Sequence, residues 1–412
     1  MATKEEKKAN PPEITEDNKK YKIGLFVDGF FPTIDGVIVG INSISKIINE
    51  HVDLTVFTAA PAKGEYDDSN LPYKVVRCRS KKIPFVKKID YDMPVPKSDK
   101  DFCKAVAESD LDLVHIRSPF AVGKMGLRYA KKRGIPAVIT LHSQYKQDFY
   151  KATRSKLLTA MLMRGVRKTF NGCDECWSVN ESSKQVIRDY GIKHEPICME
   201  NGTDMLPIAE KAAAINWVNT EYNVAPDQKV ILYVGRLVKV KNIFFMADVL
   251  RELKKTDLNF KMIFVGDGAE RTDLEKLIQK HELTDNVVFT GSLKDRETIA
   301  KFYARADLFM FPSFYDTDGV VKKEAACQKT PIICVEGSIV ANSVEDGHNA
   351  YIGANNPSDF AAKIASALAD QKKHAQICET AHKELYITWD QTAKNTVERY
   401  KILIRKTKQE ND

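Results

Sequence analysis

KVILYVGRLVKVKN, Lys229 to Asn242, decides how this chain is read. Val230 to Val234 is an unbroken apolar run, as expected of a strand buried on both faces of a parallel sheet. It ends at Gly235-Arg236, and the amphipathic helical pattern NIFFMADVLRELKK follows directly. A strand end and a helix start thus converge on one point, with Arg236 and Lys241 between them. Unpaired N–H groups and the helix dipole make such a point suited to phosphate. An arginine fork and a lysine point charge can neutralise a diphosphate, the more so as it departs with added charge.

The same rhythm extends in both directions. Downstream come KMIFVGDG, the helix RTDLEKLIQKHEL, NVVFTGSL, the helix RETIAKFYARA, DLFMFPS, the helix VVKKEAACQ and PIICVEG. Upstream, YKIGLFVDGF, a helix from about Val37 to Glu50, VDLTVFTA, LDLVHIRSP, IPAVITLHS, ECWSVNES and HEPICMENGTD form an earlier series. Apolar strands alternating with amphipathic helices predict an α/β protein with parallel sheets. Two doubly wound units of similar size would face each other across a cleft at the carboxyl ends of their strands, where such sheets bind ligands. The expected division is a charged, disordered tail over 1–20, a first unit over 21–207, a polar connection over 208–228, a second unit over 229–385 and a terminal helix over 386–412.

The bulk composition fits. A chain of 412 residues is too long for one ordinary core. With 43% hydrophobic and 29% charged residues it is that of a globular protein. No apolar run is long enough to span a membrane, and residues 1–20 lack the apolar core of a secretory signal, so a cytoplasmic protein is expected. Eight cysteines in so long a chain do not make a disulfide framework; Cys173 and Cys176 form a lone CxxC, expected to occupy half-buried positions at a strand start. The net charge of +7 is unevenly spread. Ten Lys/Arg stand against four Asp between Pro72 and Lys104, and seven against one between Lys146 and Lys168. Helical spacing over 151–170 would put Leu157, Leu158, Met161, Leu162 and Met163 on one side. Lys151, Arg154, Lys156, Arg164, Arg167 and Lys168 would lie on the other, a pattern attracted to anionic lipid. The basic stretches lack the aromatic interleaving of nucleic-acid modules, so no nucleic-acid partner is expected.

Several further residues point at the cleft. Asp316-Thr317-Asp318 has the form of a metal-binding Asp-x-Asp, yet Asp316 is also followed eight residues later by Glu324. Gly319-Val320-Val321 leads into the helix that carries Glu324, and Gly319 lets backbone approach a ligand. Acceptor-only carboxylates suit hydroxyl-rich rings: Asp316 a sugar, Glu324 a ribose. Gly266-Asp267-Gly268 lacks the third glycine of a dinucleotide fingerprint and reads as a tight turn. In the first unit, Asp35-Gly36-Val37 occupies the first strand-to-helix loop. His142 ends a strand and can hydrogen-bond a hydroxyl or move a proton, and His115 lies one strand away.

Together these segments resemble glycosyltransferase family 4, retaining enzymes of the GT-B fold with two facing Rossmann-like domains and an interdomain cleft. PTIDGV, DLVHIRSPF, TLHSQY, CWSVNES, ENGTD, YVGRLVKVKN, FVGDG, FTGSLKDRETIAKFYARADLFMFPS and DTDGVVKKEAA carry the resemblance, in that order. It implies an acceptor-binding first domain, a second domain for the nucleotide-sugar donor, and a terminal helix crossing back to the first. Arg236 and Lys241 would grip the donor diphosphate, Glu324 the ribose, and Gly291-Ser292-Leu293 would lie beside the base. His142 would sit near the transferring sugar. No metal and no cofactor are implied, so Asp316 is read as a shortened first acid of a metal-free pair, where the family usually has glutamate. Lys329 replaces a family glycine.

RCRSKKIPFVKKIDYDMPVP, residues 77–96, loosely resembles a segment of relatives that glycosylate diacylglycerol, phosphoinositol lipids or polyprenyl-linked sugars, which implies a bacterial glycolipid or surface-polysaccharide enzyme. With the basic helix it suggests transfer of a hexose, UDP-linked, to a lipid or lipid-linked saccharide at the inner face of the cell membrane. The alternatives are a UDP-sugar 2-epimerase of the same architecture and a catalytically silent sugar-nucleotide-binding subunit.

Overall fold

The computed structural model describes residues 20–33, 36–82, 92–314, 316 and 319–411. Asp35, Thr317, Asp318, most of the tail and the middle of the basic segment 77–96 lie outside them.

The first unit runs β1 (Lys22–Phe26), α1 (Gly36–His51), β2 (Asp53–Ala59), β3 (Lys74–Cys78), a two-stranded antiparallel pair of β4 (Ser80–Lys81) and β5 (Met93–Pro94), then α2 (Lys100–Ala107). It continues through β6 (Leu113–Ile116), α3 (Ala121–Arg133), β7 (Ala137–Leu141), α4 (Tyr145–Thr153), α5 (Lys156–Phe170), β8 (Glu175–Ser178), α6 (Glu181–Asp189) and β9 (Ile197–Cys198). After α7 (Lys211–Glu221) the second unit runs β10 (Lys229–Val234), α8 (Ile243–Leu253), β11 (Phe260–Val265), α9 (Arg271–Lys280), β12 (Val287–Gly291) and α10 (Arg296–Arg305). β13 (Leu308–Phe311), α11 (Val320–Cys327), β14 (Ile332–Val335), β15 (Tyr351–Gly353), α12 (Pro357–Ala369) and α13 (Gln371–Leu385) complete it, and α14 (Trp389–Asn411) closes the chain.

The sheet orders are β3-β2-β1-β6-β7-β8-β9 and β12-β11-β10-β13-β14-β15, and every pairing in both is parallel. In each, the order reverses once, between β1 and β6 and between β10 and β13, which opens a crevice at the carboxyl ends of those strands. The apolar run in β10 explains its central place. Alternate side chains leave opposite faces of a strand, so Val230 and Leu232 enter one core while Ile231 and Tyr233 enter the other. A strand buried on both sides needs helices on both sides, and the sequence supplies them.

Three features depart from the sequence expectations. The connection 208–228 holds α7, whose Trp217 meets Phe302 of α10 edge-on with centroids 6.0 Å apart. The basic stretch 151–170 is two helices, broken where Arg154 takes a left-handed φ of 52°. Cys173 and Cys176 are fully buried rather than half-buried, and burial pushes the Cys176 thiol up to about 12 and that of Cys173 well above its ordinary value. Such thiols stay protonated and inert.

The chain crosses between the units twice, side by side. Thr203 and Thr388 form a parallel bridge, with Thr203 N donating to Ile387 O at 2.9 Å. A side chain on Gly202 would sit 2.3 Å from Trp389 N, so glycine permits the approach. Beyond the crossing, Trp389, Val397, Tyr400 and Ile404 of α14 enter the core formed by β1 and α1. His115 is used there: its Nδ1 lies 2.5 Å from the Tyr400 hydroxyl and its Nε2 2.8 Å from Thr140 Oγ1. It holds α14 against the first sheet and has no surface open to solvent.

Candidate active site

The two crevices meet in a cleft of about 620 Å³. Gly36, Val37 and Gly40 of α1, with Arg117 and His142 after β6 and β7, line one wall; Arg236, Lys241, Asp316 and the Gly319-Val320-Val321 helix start line the other. Eight of the sequence-derived candidates, Gly36, His142, Arg236, Lys241, Asp316, Gly319, Val320 and Val321, therefore share one cavity although the chain separates them by up to 285 residues.

The second wall is built from interlocked loops. Gly266 N donates to Gly291 O, and Leu237 N to Asp267 O, both at 2.9 Å. A Cβ on Gly266, whose φ is 142°, would lie 2.0 Å from Gly235 O. The Gly-Asp-Gly turn thus exists so that backbone can press against the loop carrying Arg236. Gly266, Gly291, Ser292 and Leu293 are outside the cavity lining; Gly266 and Gly291 take part in that loop packing.

Lys241 ends a short 3-10 turn, Lys239–Lys241, and Asn242 then takes a left-handed φ of 61° to start α8. The Lys241 ammonium donates to Asp316 Oδ1 at 2.5 Å, and the two side chains are equally sheltered, each 18% exposed. Asp316 Oδ2 is buried and, among the described residues, accepts no hydrogen bond. A carboxylate oxygen left without a donor is costly, and a hydroxyl entering the cleft can supply one. Gly319, at φ 64°, starts α11; a Cβ there would meet the Phe311 ring at 2.7 Å.

Glu324 is placed differently from the rest. It is 5% exposed and lies outside the cavity lining. Arg296 Nη2 donates to its Oε1 at 2.7 Å and the Tyr303 hydroxyl to its Oε2 at 3.1 Å. The same Arg296 Nη2 reaches Asp204 Oδ1 at 2.7 Å, beside the first chain crossing. Burial, then the Glu324 charge, hold the Tyr303 phenol well above its ordinary pKa, so it remains a donor. Next to Glu324, Lys322 and Lys323 are both buried; Lys322 Nζ donates to Ser343 Oγ at 2.7 Å and Lys323 Nζ to Asn201 O at 2.5 Å, which ties α11 to the first unit.

On the first wall, Arg117 Nη1 lies 3.3 Å from His142 Nε2. His142 keeps part of its surface open to the cleft, yet desolvation and then the Arg117 charge hold its pKa well below the ordinary value. The imidazole is therefore neutral near pH 7, with Nε2 accepting from the guanidinium. Sequence reasoning passed over Arg117, Arg296, Tyr303 and both lysines. Only Arg117 carried a signal, as a cation directly after an apolar strand.

Lys151, Arg154, Lys156, Arg164, Arg167 and Lys168 are exposed on α4, on α5 and, for Arg154, at the break between them. The expected two-sided helix is three-sided: Met163, Val166 and Phe170 face the core, while Leu157 (73% exposed), Leu158, Met161 and Leu162 form a second, outward apolar face beside the cations. Among the described residues no helix is long and apolar enough to cross a membrane, and no three His, Cys, Asp or Glu side chains gather as metal ligands.

A facing pair of doubly wound domains with a cationic strand-to-helix loop in the cleft is the architecture of the GT-B fold. The family comparisons agree. Residues 36–204 match the model of Glycosyltransferase Family 4, and residues 219–384 that of Glycosyl transferases group 1. The chain belongs to family 4 of the glycosyltransferases.

Among curated relatives, it is similar to the alpha-monoglucosyldiacylglycerol synthase of Streptococcus pneumoniae, at 26% identity over 79% of this chain and 73% of that protein. It is also similar to the protein of the same name from Acholeplasma laidlawii, at 27% identity over 80% of this chain and 83% of that one. Its fold matches that of Anabaena HepE in complex with UDP, with a TM-score of 0.73 and 16% identity over 93% of this chain and all (100%) of that chain.

Proposed function

We propose that the chain is a retaining, metal-independent α-glycosyltransferase. It moves a hexose from a UDP-hexose, UDP-glucose first among them, to a lipid or lipid-linked saccharide at the inner face of the cell membrane. The observation that carries this is the Lys241–Asp316 pair with its unsatisfied Oδ2, facing His142 across one cleft. Arg236 and Lys241 take the diphosphate. Asp316 Oδ2 accepts from a sugar hydroxyl, and Glu324, held by Arg296 and Tyr303, takes the ribose. Asp316 is thus already occupied by an ammonium, in keeping with the metal-free role given to it.

The acceptor oxygen bonds to the anomeric carbon on the face from which the diphosphate leaves. As the anomeric carbon–oxygen bond breaks, the acceptor proton passes to the departing phosphate oxygen. Arg236 and Lys241 stabilise the charge that develops there. His142, neutral, can hydrogen-bond a sugar hydroxyl without adding charge. Two diacylglycerol-glucosylating names among the relatives, and the outward apolar and basic face of α5, support a membrane-surface acceptor.

The test is transfer from UDP- and GDP-hexoses to lipid vesicles in EDTA. Transfer with retained anomeric configuration is expected. Activity abolished by chelator and restored by manganese would sink the metal-free mechanism. Interconversion of free UDP-sugars without acceptor would identify the 2-epimerase, and nucleotide binding with no turnover the silent subunit.

A further inference from the structure

We propose that Arg117 forms an anion subsite on the first wall of the cleft, and that this subsite takes the phosphate of an acidic acceptor. The proposal rests on the reading of that wall as the acceptor side, and narrows the acceptor to one whose phosphate lies close to the accepting hydroxyl.

Arg117 leaves the carboxyl end of β6, beside the point where the strand order reverses. It lines the cleft yet is only 6% exposed. Its Nη1 contacts His142 Nε2, and among the described residues its Nε has no hydrogen-bond partner. Among the described residues no carboxylate forms an ion pair with it. The nearby carboxylates are otherwise placed. Asp28, after the adjacent β1, accepts from Ser118 Oγ at 2.7 Å and Val122 N at 2.8 Å. Asp148 lines the same cleft, and burial lowers the Arg117 pKa from its ordinary value, as desolvation of a cation does.

A guanidinium stays charged at any physiological pH, and removing it from water without a counter-ion is expensive. Native proteins keep such a group where a ligand supplies the missing charge, and the planar fork matches phosphate in a bidentate way. The donor does not need it. A diphosphate has Arg236 and Lys241 on the opposite wall, and the donor sugar has Asp316. The cation on the first wall is therefore available to a second anion. His142 cannot serve as that anion's donor through Nε2, which already accepts from Arg117. Neutral diacylglycerol would leave Arg117 unpaired, whereas a phospholipid or a lipid-linked saccharide phosphate would satisfy it.

The test separates this subsite from the donor site. With UDP saturating, sn-glycerol 3-phosphate and glycerol are titrated calorimetrically into the wild type, Arg117→Met and Arg236→Met. Glycerol 3-phosphate should bind the wild type and Arg236→Met. It should bind Arg117→Met at least about tenfold more weakly, as loss of a charged hydrogen bond implies, and glycerol should not bind. Binding that UDP displaces, or that survives Arg117→Met, overturns the proposal. Should Arg117→Met lose its native circular dichroism, Arg117→Lys replaces it; loss of the fork should still weaken binding several-fold, and unchanged affinity overturns the proposal.

A lipid arm compares transfer from UDP-glucose to two vesicles of equal surface charge. One is phosphatidylcholine with phosphatidylglycerol; the other is phosphatidylcholine with diacylglycerol and phosphatidic acid. Preference for phosphatidylglycerol that Arg117→Met abolishes is expected. Equal loss on both acceptors refutes the subsite. Failure of UDP itself to bind would refute the donor assignment instead, and glycerol 3-phosphate would still report on Arg117 alone.

Discussion

Replacing Glu324 by glutamine probes a buried structural contact that is also the proposed ribose acceptor. The carboxylate accepts from Arg296 at 2.7 Å and from Tyr303 at 3.1 Å. Glutamine keeps the shape, so no cavity forms. Its carbonyl can still face Arg296, but its amide then points at a hydroxyl that must turn to accept, and the negative charge is gone. A hydrogen bond to a charged partner contributes about 1.5–3 kcal/mol. Arg296 is 44% exposed and keeps Asp204, which screens part of the loss. The net cost should be about 1–2 kcal/mol, a fall of roughly 2–8 °C in the midpoint of a domain this size. Loss of the charged acceptor for ribose hydroxyls should weaken UDP binding by about ten- to a hundredfold. Thermal unfolding with and without UDP, and calorimetric titration of UDP and UMP, read both effects. A variant that unfolds earlier but binds UMP as the wild type does would make Glu324 a purely structural partner of Arg296, and the ribose assignment would fail.

Three other outcomes can be checked. His115 and His142 have folded pKa values below their unfolded ones, through burial first and then the Arg117 charge. The folded state thus binds fewer protons, so stability is whole above about pH 6.5 and falls below it by about 1.4 kcal/mol per pH unit for each histidine. A melting temperature that rises between pH 7 and 5.5 would contradict this. Gly266→Ala forces a Cβ to within 2.0 Å of Gly235 O at φ 142°, and should cost about 1–3 kcal/mol while raising the donor KM by displacing Arg236; an unchanged KM would separate the turn from the site. Leu157→Asp with Met161→Asp alters only exposed positions, so folding should persist while sedimentation with anionic vesicles drops about tenfold or more. Unchanged partition would remove α5 from the membrane contact.

Much was legible because it is local. The buried strand 230–234, the helix after it and the cations between them are consequences of neighbours in sequence, whose alternation fixes which face each side chain leaves by. The paired α/β units and the loop bearing Arg236 and Lys241 follow from that alone. Asp316 was singled out through the family resemblance, since acids eight apart are common by chance, and its partner was not legible: Lys241 lies 75 residues away. Glu324 was placed correctly on its helix, but its burial under Arg296 depends on α10, which spacing along α11 cannot reveal. The cations of 151–170 were evident, whereas the third face of α5 was hidden because core packing chooses among apolar residues that look alike. His115 drew attention as a strand-end histidine, and it is a structural contact to Tyr400, 285 residues on. By itself, then, the sequence determined the alternating elements, their doubly wound halves and the chemical types gathered at the strand ends. Tertiary structure decided which charges meet an opposite charge and which, like Arg117 beside the His142 imidazole, line the cleft. That choice is made by burial and by distances across the chain crossings, and neither has a period in the sequence.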